Sequence, residues 1–226
     1  MMKIGILQTG HAPDMLLPDT GDYDAMMARM LDGQGFDFET YAVVDQEFPD
    51  GPHAADGWLI TGSKHGAYED HPWIPPLEEL IRAIHAANLP LVGICFGHQI
   101  IAQALGGTVV KHPDGWRVGA TQYDIEGRPL TLNAWHQDQV IEAPGGAEII
   151  GTAEGCDIAA MRIGERIYTV QPHPEYGSAF IQGLLDHRAP GVVPDALSNH
   201  ARGLLSTPTD NAAMATRIAD VFRKGA

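Results

Sequence analysis

Hydrophobic positions fall into two textures along the chain. Up to about residue 107, short uncharged apolar runs alternate with segments that are apolar at three- and four-residue spacing. Residues 3–8 form a compact apolar run and read as a strand buried on both faces. Residues 9–22, with Pro13, Pro18 and Gly21, read as loop. Asp22 then stands as a cap before Met26, Met27, Met30 and Leu31, whose spacing predicts a helix over about residues 23–31 with its methionines in the core. Residues 36–44 alternate and read as a second strand, and Trp58-Leu59-Ile60 as a third. A helix is expected over 73–87, with Pro72, Pro75 and Pro76 confined to its start and Leu77, Leu80, Ile81 and Ile84 as its apolar stripe. Residues 90–94 read as a buried strand. A helical pattern follows at 100–105, ended by Gly106-Gly107.

From Thr108 the runs shorten. Residues 108–110, 119–125, 130–132, 148–150, 158–162 and 167–170 read as strands separated by turns such as Glu126-Gly127 and Ile163-Gly164, a series of antiparallel hairpins. A helix is expected over 177–186 and irregular or broken helix over 189–207. An amphipathic helix over 211–224, carrying Met214, Ile218, Val221 and Phe222, should dock on the sheet. There is no internal repeat, low-complexity tract or linker. The pattern predicts one α/β domain over residues 1–226: a mostly parallel central sheet with helices on both faces, plus a hairpin-rich segment. In such sheets sites collect at the carboxyl ends of strands, where Gly62 and Cys95 lie.

Composition narrows the partners. Fourteen basic and 29 acidic residues give a net charge of −15, which argues against a nucleic-acid or anionic-membrane surface. Two cysteines, Cys95 and Cys156, make no disulfide framework and point to a reducing, cytoplasmic setting. No apolar run approaches the ~20 residues of a membrane span, and the N-terminal run is too short for a signal peptide.

The chemistry centres on Cys95. It ends an apolar strand and precedes a helix, with Gly93 and Gly97 two positions either side, the pattern of a nucleophile elbow. Free N–H groups at the helix start favour a thiolate; the alternative is a buried structural cysteine. A thiolate needs a base and the base an orienting group. His173, closing a strand and followed by Glu175, supplies both, stiffened by Pro172 and Pro174. His-Pro-Glu alone is a weak signal; paired with an elbow 78 residues upstream it is strong. The loop 61–66 lacks nucleotide-loop spacing and reads as a plain turn or as a source of backbone N–H groups for an anion. No histidine pair shows metal-ligand spacing with a carboxylate, so no metal or other cofactor is expected, and His65 and His71 read as solvated loop residues.

Residues 93–99 (Gly-Ile-Cys-Phe-Gly-His-Gln) together with 171–175 (Gln-Pro-His-Pro-Glu) resemble the class I (triad) glutamine amidotransferases, in particular stand-alone members similar to the amidotransferase domain of GMP synthetase. Gly62-Ser63, residues 115–119 and residues 135–140 extend the resemblance, which runs from about Ile4 to Tyr176. It implies a flavodoxin-like fold and attack by Cys95 on the γ-carboxamide of glutamine. It further implies an oxyanion held by the N–H of Phe96 and of Gly62 or Ser63, with His173 as proton carrier and Glu175 as its orienter. Gln99 would contact the substrate, and His136, Gln137 and Asp138 would line the pocket and hold the α-amino group. His98 is the motif's ordinary residue and reads as structural. Two positions depart from the family pattern: Pro172 stands where phenylalanine is usual, and Trp135 where a small or polar residue is common.

About 50 residues follow Glu175, with no P-loop and no Ser-Gly-Gly-x-Asp motif, so no acceptor-activating domain is expected. The first expectation is therefore glutamine hydrolysis, with ammonia passed to a separate synthetase subunit. The alternatives are a stand-alone γ-glutamyl peptidase with the same triad, and a catalytically vestigial binding or regulatory module. Retention of Cys95, His173 and Glu175 together argues against the last. The acceptor and the oligomeric state are not written in the sequence.

Overall fold

The computed structural model describes residues 1–224. Nine strands form one sheet, in the order β2-β1-β3-β4-β11-β10-β9-β6-β7. Five are parallel: β1 (Met2–Leu7), β2 (Phe36–Tyr41), β3 (Gly57–Ile60), β4 (Leu91–Ile94) and β11 (Ile167–Val170). The remaining four run as antiparallel neighbours: β10 (Cys156–Ile163), β9 (Ala147–Ala153), β6 (Arg117–Ile125) and β7 (Arg128–His136). A two-stranded ribbon pairs β5 (Thr108–Lys111) with β8 (Asp138–Glu142).

Side chains of the parallel strands alternate between two cores, as the pleat requires. Trp58, Ile60 and Leu91 face α3 (Ile74–Ala86) and α4 (Phe96–Ala104), packing with Leu77, Ile81, Ile84, Ile100 and Ile101. Ile4, Ile6, Leu59, Val92 and Ile94 face the other way, onto Met27 of α2 (Tyr23–Met30) and Met214, Ile218 and Phe222 of α7 (Asn211–Lys224). Helices thus cover both faces. A third cluster joins α1 (Leu17–Thr20) and α2 to α5 (Ser178–His187) and α6 (Asp195–Gly203) beside the carboxyl ends of the strands. Among the described residues no helix is long and apolar enough to cross a membrane.

Several elements differ from the sequence expectation. β2 stops at Tyr41 and residues 43–45 form a 3₁₀ turn instead. Helix α4 begins at Phe96, directly after Cys95. β7 runs on to His136, so Trp135 and His136 sit on a strand. β8 forms where the sequence shows no clear apolar alternation. Residues 189–207 contain a regular helix, α6, that starts after Pro194. The Glu126-Gly127 turn has φ of 54° and 72°, the left-handed pair that matches hairpin twist.

Asp22 ties the first strand to the first long helix. Its carboxylate accepts from the backbone N–H groups of Tyr23 and Ala12, each at 2.8 Å, and from Gln8 Nε2 at 2.8 Å, with His11 Nδ1 at 2.6 Å. Burial opposes its ionisation, but the bonds from Ala12, His11, Tyr23 and Gln8 outweigh that and lower its pKa. A depressed folded pKa stabilises above the ordinary carboxylate range, and the benefit is lost as pH falls through the folded value. Asp22→Ala should therefore cost about 1–2 kcal/mol at neutral pH in denaturant unfolding. The gap to wild type should narrow in acid.

Candidate active site

Cys95 joins β4 to α4 with φ 52° and ψ −103°, a conformation that non-glycine residues rarely hold. Its N–H donates to Val170 O at 2.9 Å, so the elbow is fixed to β11 as well as β4. The two flanking glycines let backbones meet. Gly93 lies on the face of β4 that α4 covers, and a Cβ there would stand 2.5 Å from the Gly97 carbonyl group. A Cβ at Gly97 would stand 2.4 Å from Ile60 O at the end of β3. The Gly97 N–H donates to Thr61 O at 3.2 Å and that of Gln99 to Cys95 O at 3.1 Å. Phe96, the first residue of the helix, keeps an N–H without an intrahelical partner. Its ring is wholly buried, 5.5 Å from Trp73.

His173 follows β11 and is anchored from a second side, its N–H donating to Asn133 O of β7 at 2.8 Å. Nδ1 lies 2.6 Å from Glu175 Oε1, and the two side chains are 2% and 1% exposed. The imidazole stacks on Tyr176 at 4.0 Å and 4°. A carboxylate on Nδ1 fixes the proton there and leaves Nε2, which is buried and has no hydrogen-bond partner among the described residues. Gly62 brings the loop after β3 against this pair. A methyl at Gly62 would lie 3.0 Å from His173 Cε1 and 3.8 Å from Cys95 Cβ, touching both. Burial opposes protonation of His173, but negative charge at Cys95 and then Glu175 outweighs it and raises the imidazole pKa. The structure thus brings Cys95, His173 and Glu175 together, with Gly62 beside them.

A pocket opens over Cys95 and His173 and is lined also by Ser63, Gln99, His136, Gln137 and Asp138. Glu175 stands behind His173 and away from the pocket surface. Ser63 Oγ donates to Thr9 O at 2.6 Å, so its hydroxyl is occupied. Gln99 Nε2 donates to Asp138 O at 2.8 Å and Gln171 Oε1 at 3.1 Å, which leaves Gln99 Oε1 for a ligand. His136 Nδ1 lies 3.2 Å from Asp138 O, and its Nε2 is buried without a partner among the described residues. Burial, then the charge on His173, pushes the His136 pKa down to about 3, so this ring is neutral. Asp138 Oδ1 accepts from Tyr68 at 3.1 Å, and burial raises its pKa. His98 is wholly buried. It ties α4 to Thr169 Oγ1 at 2.8 Å and to Ile158 O at 3.1 Å, and burial takes its pKa down to about 4.

The pocket has a wall that sequence reasoning largely missed. Trp116 and Trp135 meet edge to face at 6.2 Å, and Tyr23, Tyr68, Lys111 and Arg188 also line it. Trp135, as a departure from the family pattern, and the stretch 115–119, which carries Trp116, are the sequence features that point there. The structure also gathers His65, Glu69 and His71, with donor atoms within 4.8 Å of one another, and His65 and Glu69 line the pocket. The spacing His-x₃-Glu-x-His was the available signal, but it lies on a loop, where spacing alone implies no shared face.

The profile of the family described as "Glutamine amidotransferase class-I" matches residues 19–180. Gamma-glutamyl peptidase 4 of Arabidopsis thaliana is 30% identical over 182 residues, covering 74% of this chain and 72% of the relative. The glutamine-hydrolyzing GMP synthase of Aeropyrum pernix is 36% identical over 179 residues, covering 74% of this chain and 34% of the synthase. The fold matches the crystal structure of a glutamine amido transferase from Methylobacillus flagellatus, with a TM-score of 0.76 and 22% identity over 98% of this chain and 91% of that one. The family profile spans well over half of the sequence and contains the elbow, the histidine and the glutamate, and on that ground the chain belongs to the class I glutamine amidotransferase family.

Proposed function

We propose that the chain, acting as one catalytic domain, hydrolyses the γ-amide of glutamine through a γ-glutamyl thioester on Cys95. The observation that carries this reading is the buried constellation of a cysteine in a strained elbow beside an imidazole whose far nitrogen is held by a carboxylate. Cys95 Sγ attacks the γ-carbonyl carbon. The oxyanion is met by the N–H of Phe96 and by that of Gly62 or Ser63. As the C–N bond breaks, His173 Nε2 gives its proton to the departing ammonia. The same nitrogen then takes a proton from the water that attacks the thioester, and glutamate leaves Cys95 as the starting thiolate. Gln99 Oε1 and the pocket residues His136, Gln137 and Asp138 receive the rest of the substrate, Asp138 meeting its α-amino group. Ammonia passes to a separate synthetase.

A second reading has its own support. Arg188 lines the pocket without an ion-pair partner among the described residues, and the Trp116–Trp135 pair lines the same pocket. An aromatic and cationic wall suits a leaving group larger than ammonia, such as the amino-acid part of a γ-glutamyl peptide. The test compares kcat/KM for glutamine and for γ-glutamyl dipeptides. Preference for dipeptides selects the second reading; preference for glutamine selects the first. Turnover of neither class would overturn both.

Glu175→Gln should keep the fold and lower kcat by about 10²–10⁴, because the amide neither fixes the Nδ1 proton nor offsets the imidazolium charge. Losing a charge that raises the His173 pKa should also move the alkaline limb of the rate profile to lower pH. The stabilising imidazolium is fully present below the ordinary imidazole range and is lost as pH rises through the raised folded value. Steady-state pH profiles of the two proteins check this.

A further inference from the structure

The loop between β3 and α3 carries a second cluster that the hydrolysis does not use. Glu69 Oε2 lies 3.4 Å from His65 Nδ1 and 2.7 Å from His71 Nε2. The two imidazoles are 4.2 Å apart, and His71 stacks on Trp73 at 11°. The Glu69 N–H closes a turn onto Gly66 O at 3.0 Å, and that of His71 bonds to Glu69 O at 3.1 Å, so the backbone itself turns the three side chains toward one point.

We propose that His65, Glu69 and His71 bind one divalent transition-metal ion, best suited to Zn²⁺, at the mouth of the pocket. Two imidazoles and a carboxylate are the donor set of open zinc sites, which leave a fourth position for water or a ligand. Metal–donor bonds of about 2.0–2.2 Å put tetrahedral donors roughly 3.3–3.6 Å apart. The His65–Glu69 spacing already meets that, and the His71–Glu69 pair reaches it by opening less than ~1 Å. Hard oxygen-seeking cations are disfavoured because two of the three donors are nitrogen. Lys64 is the adjacent cation that opposes binding; the Glu69 carboxylate offsets it. The ion would cross-link residues 65–71, just beyond Gly62 and Ser63, and so stiffen the loop that borders Cys95.

The test titrates CoCl₂ and ZnCl₂ into the full chain carrying Cys95→Ser, which removes the pocket cysteine that would compete for metal. One equivalent of Co²⁺ should give the visible absorption of a four- or five-coordinate site, bleached by Zn²⁺. Zn²⁺ should also raise the thermal midpoint. His65→Ala and His71→Ala should each weaken Zn²⁺ binding by at least about tenfold. Their midpoints without metal should match the parent, since these side chains are partly exposed. Absence of binding by the parent, or parent-like affinity in the double variant, would overturn the site. Neither result bears on glutamine hydrolysis, because the hydrolytic proposal uses none of these three side chains.

Discussion

Cys95→Ala is expected to lower turnover of γ-glutamyl amides by at least about 10⁴-fold with little change in ground-state binding, because among the described residues no other thiol lines the pocket. Cys156, the other thiol, is 2% exposed and lies outside the pocket lining. The residual rate should come from the oxyanion donors and substrate positioning alone. The same position carries a second expectation. Its φ of 52° and ψ of −103° cost on the order of 1–3 kcal/mol for a residue with a Cβ. Alanine retains that strain and glycine relieves it. Cys95→Gly should therefore be about 1 kcal/mol more stable than Cys95→Ala while being equally inactive. Equal stability of the two variants would mean the strain stored at the elbow is no larger than the extra chain entropy that glycine loses on folding.

Gly97→Ala is expected to damage both stability and activity. The added carbon would sit 2.4 Å from Ile60 O and 3.0 Å from Ile60 C and Cβ, atoms of a fully buried strand that have no room to yield. α4 must then move off β3, which costs about 3 kcal/mol or more. That shift also carries Phe96 N–H away from Gly62, separating the two sides of the proposed oxyanion site. Thermal unfolding and single-turnover acylation should fall together. A variant with the wild-type melting temperature would refute the close backbone packing.

Some of this was legible in the sequence because the chemistry of the residues forces a local shape. A cysteine between two glycines, after an uncharged strand, leaves few alternatives to a tight strand-to-helix turn. Asp22 before a methionine-rich stripe reads as a cap for the same reason. What escaped lacked such a signature. β8 is short and partly exposed, so its polar residues hide the strand period. In α6 only Ser198 and Ala201 are buried, leaving almost no apolar stripe, and Pro190 and Pro194 nearby read as breakers. Trp135 and His136 reach the pocket because β7 continues to the end of a hairpin, a matter of tertiary pairing with β6. The gathering of His65, Glu69 and His71 depends on a turn at Gly66, and no periodicity encodes it. Arg188 enters the pocket from the carboxyl end of α5, fifteen residues beyond His173, and only packing of that helix puts it there.

The central claim is that Cys95 carries the γ-glutamyl group during turnover. Rapid acid quench of the enzyme with glutamine or a γ-glutamyl dipeptide, followed by peptide mass spectrometry, reads this directly. The account predicts one γ-glutamyl adduct per chain on the peptide containing Cys95, longer-lived in His173→Ala and absent in Cys95→Ala. Undiminished turnover by Cys95→Ala, or an adduct on any other residue, would contradict it.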